Sequence, residues 1–219
     1  MMTYAKIEAA IRQGTAADWV PRWALELLRD IAGGRRGLTA VRHPLGFLCM
    51  PVQRTGGHGI CVHVWTPALQ PTLTTSQVHS HSWDLTSYVL YGTLRNQRIR
   101  VSEGGATATH RIFEVHSHGD TDELHATTRL VSCEPETARE YGAGCVYFLP
   151  AGEFHTTVVP SAQEVATVAL GRSRSHVDDL SIGPLDARSH AITRSRCDPP
   201  ETARAALQVA GRLEALGVA

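Results

Sequence analysis

The segment Gly144-Cys145-Val146-Tyr147-Phe148-Leu149-Pro150-Ala151-Gly152-Glu153-Phe154-His155 reads as a strand, a tight turn and a returning strand. Pro150 and Gly152 fix the turn, so the returning strand opens reproducibly on His155. A second segment complements it: His79-Ser80-His81-Ser82-Trp83-Asp84-Leu85-Thr86-Ser87-Tyr88-Val89-Leu90-Tyr91-Gly92. Histidines at i and i+2 of a strand project from one face. If that face lines a barrel interior, two imidazoles converge where uncompensated polar groups are costly. A metal ion accounts for such a pair better than packing does.

Outward from these segments the texture is that of short strands. Runs rich in β-branched and aromatic residues alternate with Gly, Pro, Ser and Thr clusters. Strands are expected over 39–43, 45–52, 59–66, 76–81, 85–91, 93–102, 110–117, 124–133, 145–149, 154–159 and 164–170. No helix intervenes, which argues for an all-β sandwich or barrel. Before it, residues 3–13 place Tyr4, Ile7, Ala10 and Ile11 on one helical face. A second helix is expected with Asp18 as its cap and Pro21 in its first turn, ending at Gly33-Gly34. After it, 172–197 reads as irregular, a surface excursion or flap. Asp198-Pro199-Pro200-Glu201 then carries the signature of a capped helix start, running to about Leu216. The chain divides into a helical extension (1–37), a barrel (38–171) and an irregular segment plus helix (172–219). All three are expected to pack as one domain.

The 219 residues include 21 basic and 21 acidic side chains, so the formal net charge is zero. That gives no electrostatic case for nucleic acid or an anionic membrane. At 42% hydrophobic and 19% charged, the composition is that of a folded globular chain. No apolar run has membrane-spanning length. The start, MMTYAKIEAAIRQ, is amphipathic and shows no signal peptide. Five cysteines with no CxxC pair argue against a disulfide framework and for a cytoplasmic protein. Histidine, with 12 copies, is the residue in excess.

The two segments resemble the paired motifs of the cupin superfamily. Gly144, Pro150, Gly152 and His155 match its G-x5-P-x-G-x2-H motif, and His79, His81 and Gly92 match its HxH motif. The resemblance covers residues 40–170. It implies a double-stranded β-helix, or jelly-roll, barrel with a metal held by His79, His81 and His155. The family's usual glutamate falls here at Leu85, which cannot bind a metal. Asp84, one position earlier, is a candidate extra ligand that reaches inward only from an irregular turn.

Three neutral histidines suit an Fe(II) site that takes an anionic or chelating substrate and oxygen. They also suit zinc. Among cupins, loss of the glutamate is similar to the thiol-dioxygenase branch and to some diketone-cleaving dioxygenases. In cysteine dioxygenase an arginine ahead of HxH binds the substrate carboxylate, and Arg54 occupies a similar place. A guanidinium suits bidentate carboxylate recognition. The Ser-x-His-x-Tyr relay of that branch is not matched; Thr167-Val168-Ala169-Leu170-Gly171 stands there instead.

The expected function is therefore a mononuclear non-heme Fe(II) oxygenase acting on a small amino- or carboxyl-bearing substrate. Arg54, Ser87, Tyr147 and His63 are the candidate substrate contacts. The alternatives are a zinc or manganese cupin with non-oxidative lyase, isomerase or bond-forming chemistry, or a non-catalytic cupin binding module. A homodimer is expected by family analogy alone. His116-Ser117-His118 repeats the HxH spacing but has no partner motif.

Overall fold

The computed structural model describes residues 4–219. Thr3, expected to open the first helix, lies outside the described residues. Helices α1 (Tyr4–Gln13) and α2 (Ala16–Ala32) are followed by strands β1 (Val41–His43), β2 (Phe47–Thr55), β3 (His58–Trp65), β4 (His79–Ser80) and β5 (Trp83–Tyr91). Next come β6 (Thr93–Glu103), β7 (His110–His118), β8 (Thr121–Pro135), β9 (Arg139–Gly142), β10 (Val146–Leu149), β11 (His155–Val158) and β12 (Val165–Ser173). The chain closes with β13 (Leu180–Pro184), β14 (His190–Thr193), β15 (Ser195–Arg196) and α3 (Pro199–Ala215).

The strands form two antiparallel sheets, ordered β10-β5-β12-β3-β2-β1-β15 and β14-β8-β7-β13-β4-β11-β6-β9. Six antiparallel strands close into a barrel, and the architecture is a double-stranded β-helix with three helices outside it. Each strand anticipated from the sequence is present. Residues 172–197 correct the expectation of an irregular excursion. β13 lies in the middle of the second sheet, between β7 and β4, and β15 pairs with β1 at the edge of the first. Their apolar content is too sparse to signal strands locally; only Leu180 and Ile182 alternate in β13. They are strands because neighbours supply the ladder.

The first sheet is apolar on its outer face because the helices cover it. Ile60, Val62 and Val64 of β3 and Met50 of β2 are buried in one cluster with Leu25, Leu28, Val209 and Leu213 of the helices. The alternate residues of the same strands, Cys49, Cys61, His63 and Trp65, line an internal cavity. One face of the hairpin thus stabilises the fold by burying apolar area, which frees the other for chemistry.

The helix termini follow the sequence signals with one change. Asp198 caps α3 in a full capping box: its carboxylate accepts from Glu201 N–H at 2.6 Å, and its own N–H donates to Glu201 at 3.1 Å. In α2 the cap position is Thr15, and Asp18 sits in the first turn instead. A carboxylate there is still favoured by the helix dipole. No described helix is long and apolar enough to cross a membrane.

Candidate metal centre

The HxH segment crosses from one sheet to the other. His79 belongs to β4 in the second sheet, and by Trp83 the chain has entered β5 in the first. His155, opening β11, pairs directly opposite His79. His79, His81 and His155 therefore converge. Their ring centroids lie 4.4–5.2 Å apart, and one ring nitrogen of each lies within 4.8 Å of the others.

Gly152 has φ +80°, a left-handed turn conformation that a side chain would strain. Two hydrogen bonds stitch this turn to the HxH segment. Gly152 N–H donates to the His81 carbonyl at 2.8 Å, and Ala151 N–H donates to the Asp84 carboxylate at 2.9 Å. Gly92, which ends β5, has φ +78°, and a Cβ there would overlap the Glu164 carbonyl.

The tautomers follow from the partners. His79 Nδ1 lies 2.8 Å from the Gln77 carbonyl, and His155 Nδ1 lies 3.3 Å from that of Glu153. A carbonyl only accepts, so in each neutral ring Nδ1 carries the proton and Nε2 carries the free lone pair. His81 is stacked on Trp83, with ring centroids 4.2 Å apart. Burial lowers the pKa of all three; His81 is held well below its ordinary value and His155 is taken down to about 3. Mutual repulsion among the rings adds to this for His81 and His155. The group is thus neutral and holds buried lone pairs, a donor set that fits a divalent transition metal. No carboxylate belongs to it.

Asp84, the candidate extra ligand, is engaged elsewhere. Besides Ala151 N–H it accepts from Arg174 Nε at 2.7 Å. Burial alone would raise its pKa, but the hydrogen bonds from Arg174 and Ala151 outweigh that and hold the carboxyl below its ordinary value. Strand alternation turns Asp84 to the face opposite Trp83 and Leu85, both of which line the cavity. Its role is to brace the turn that delivers His155.

The three histidines sit in the wall of a cavity of about 690 Å³. Arg54, His63 and Tyr147 also line it; Ser87, fully buried opposite Tyr147 in the β5–β10 pairing, does not. Arg54 reaches the cavity through a bulge. The register of β2 against β3 shifts between Pro51 and Gln53. Phe47, Cys49 and Pro51 face inward before it, and Arg54 does so after it. The extra residue re-aims the strand. Burial pushes the Tyr147 phenol up to about 12, so it stays a hydrogen-bond donor.

Three further groups line the cavity without a local sequence signal. His43 accepts at Nδ1 from Leu45 N–H at 3.3 Å, which leaves the proton on Nε2. Burial lowers its pKa well below the ordinary value. Arg194 is paired with Asp122. Cys49 joins Cys61 and His63 in a second convergent group. Cys61 and His63 share a face by alternation. Cys49 is brought to them only by the β2–β3 register, which sets it opposite His63.

No family profile and no curated protein sequence matches the chain. Similar solved structures are cupin-like. One is a protein of unknown function with a cupin-like fold from Ralstonia eutropha, at 14% identity and TM-score 0.36, covering 81% of this chain and 82% of that one. A cupin-like protein from Thermotoga maritima has 12% identity and TM-score 0.35 over 64% of this chain and 77% of that one. A variant of oxalate decarboxylase from Bacillus subtilis has 11% identity and TM-score 0.34 over 62% of this chain. The match spans only 27% of the length of that enzyme.

Proposed function

We propose that the protein is a mononuclear non-heme Fe(II) oxygenase acting on a small substrate that carries a carboxylate or amine. One observation carries this reading: three neutral histidines, His155 buried and His79 and His81 half-buried, converge without a carboxylate in the wall of a cavity large enough for a small molecule. His79, His81 and His155 would hold the metal. Bound there, Fe(II) would supply a Lewis-acidic, redox-active centre with open positions for substrate and oxygen.

The chain's own residues would do the rest. Arg54 is the cavity arginine without an ion pair among the described residues, since Arg194 is neutralised by Asp122. Its guanidinium would bind a carboxylate in bidentate fashion and fix the substrate's orientation. Tyr147 and His43 would donate hydrogen bonds to polar substrate atoms. Phe47, Trp65 and Leu85 line the same space and would exclude water from it.

The test is anaerobic reconstitution with Fe(II), metal analysis, and then oxygen uptake with a panel of small amino and carboxylic acids. One iron per chain and substrate-dependent oxygen consumption are expected. A protein that takes up only zinc or manganese and turns over without oxygen overturns the oxygenase reading.

A further inference from the structure

Cys49, Cys61 and His63 are not accounted for by the three-histidine centre. They line the same cavity but come from the β2–β3 hairpin. The ladder explains their convergence. Cys49 lies directly opposite His63, and Cys61 is two residues before His63 on the same face. Their Sγ and ring nitrogen atoms all lie within 4.8 Å of one another. Both cysteines are free thiols. The His63 ring packs against Phe47 at 4.7 Å and Trp65 at 5.9 Å between centroids, which holds it beside the thiols.

We propose that Cys49, Cys61 and His63 form a second metal site, specific for a thiophilic ion of the zinc type, facing the same cavity as the three histidines. Ligand chemistry distinguishes the two. Two thiolates and an imidazole are a soft set that selects zinc over iron, calcium or magnesium. Ligands of a tetrahedral zinc at ~2.3 Å (sulfur) and ~2.0 Å (nitrogen) lie about 3.5–3.8 Å apart. Small side-chain rotations within the observed 4.8 Å limit reach that spacing. Two thiolates cancel the charge of a divalent ion, so the loaded site is neutral and adds no positive charge to a cavity that already holds Arg54. Three protein ligands leave a fourth position open towards the cavity.

The pattern of β3 supports a binding role over plain packing. Its outward residues Ile60, Val62 and Val64 are fully apolar and buried against the helices. His58, at the start of the strand, shares that face and packs against Tyr4; within the strand interior the thiol and imidazole of Cys61 and His63 both fall on the cavity side. Inert buried cysteines would serve equally well on either face.

The proposal stands independently of the iron reading, and the test keeps the two apart. The full-length chain, reduced and stripped of metal, is titrated with cobalt(II) chloride as a spectroscopic stand-in for zinc. Only thiolate ligation gives an intense sulfur-to-cobalt charge-transfer band in the near ultraviolet; a three-histidine centre does not. A saturating band is expected, removed by added zinc. The Cys49→Ser/Cys61→Ser variant should lose the band and one equivalent of bound metal. His79→Ala should keep the band, and so should Cys145→Ser, which removes an exposed thiol. His63→Gln should weaken cobalt affinity by tenfold or more with the band retained. Circular dichroism confirms that each variant is folded. Absence of the band in the wild-type chain, its survival in the double serine variant, or rapid closure of a Cys49–Cys61 disulfide in air with no metal taken up by the reduced protein overturns the proposal.

Discussion

Replacing His155 with alanine removes one of the three lone pairs of the group, and the carboxylates Asp84 and Asp179 are already engaged by the N–H groups of Ala151 and Ser82. Metal affinity measured by chelator competition should fall by more than the ~10–100-fold that loss of a supporting partner costs. Asp84 is such a supporting partner. Asp84→Ala leaves Ala151 N–H without its acceptor and should cost about 1–3 kcal/mol in urea unfolding. It should also weaken metal binding by about tenfold, because His155 follows on the same turn. Asp84→Asn separates the two effects. Its amide oxygen still accepts from Ala151 N–H, so metal affinity should be largely restored while the Arg174 ion pair is lost. A restored affinity in both variants would refute the bracing role.

At the scale of elements, the β2 bulge decides what the cavity offers a substrate. After the bulge Gln53 takes the outer face opposite Ile60 and Arg54 the cavity face opposite Gly59, so exchanging the two (Gln53→Arg with Arg54→Gln) turns the guanidinium outward. The variant should bind metal as the parent does and lose carboxylate recognition, read as a raised KM for an acidic substrate. Arg54→Met should show the same signature. The C-terminal helix gives a separate check. Asp198→Ala dismantles the capping box and should lower stability by about 1 kcal/mol, a few degrees in Tm. The metal centre is built from other elements, so its affinity should not change.

Across the whole molecule, the buried histidines make stability depend on pH. His43, His79, His81 and His155 have pKa values held below the unfolded value of 6.5, first by burial. Below pH 6.5 the unfolded chain takes up protons that the folded chain refuses. Stability is therefore fully present above pH 6.5 and is lost progressively as pH falls towards about 3, the value for His155. Asp84, held below its ordinary value, adds a loss of the same sign at still lower pH. The urea midpoint of the metal-free protein should fall steadily from pH 7 to pH 4. Metal binds the neutral rings, so its stabilising effect should be larger at pH 7 than at pH 5. A midpoint that is flat across this range would show that the rings are not buried as described.

The sequence by itself determined the features that local chemistry controls. Gly144, Pro150 and Gly152 specify a turn through backbone conformation, and HxH specifies a shared face through the two-residue period. The capping box of α3 and most of the barrel strands were legible in the same way, and His79, His81 and His155 as a set through the resemblance to the paired cupin motifs. Tertiary structure alone decided the rest. Residues 180–196 become strands because β4, β7, β8 and β1 offer them hydrogen-bonding edges. Asp84 is tied to the turn because Ala151 and Arg174 approach it from distant parts of the chain. Arg54 faces inward because a bulge breaks the alternation that a sequence reader must assume. Cys49 meets Cys61 and His63 only through the register of a hairpin. Turns and periods are written in neighbouring residues, whereas partners across a ladder are fixed by which strands pair and in what register.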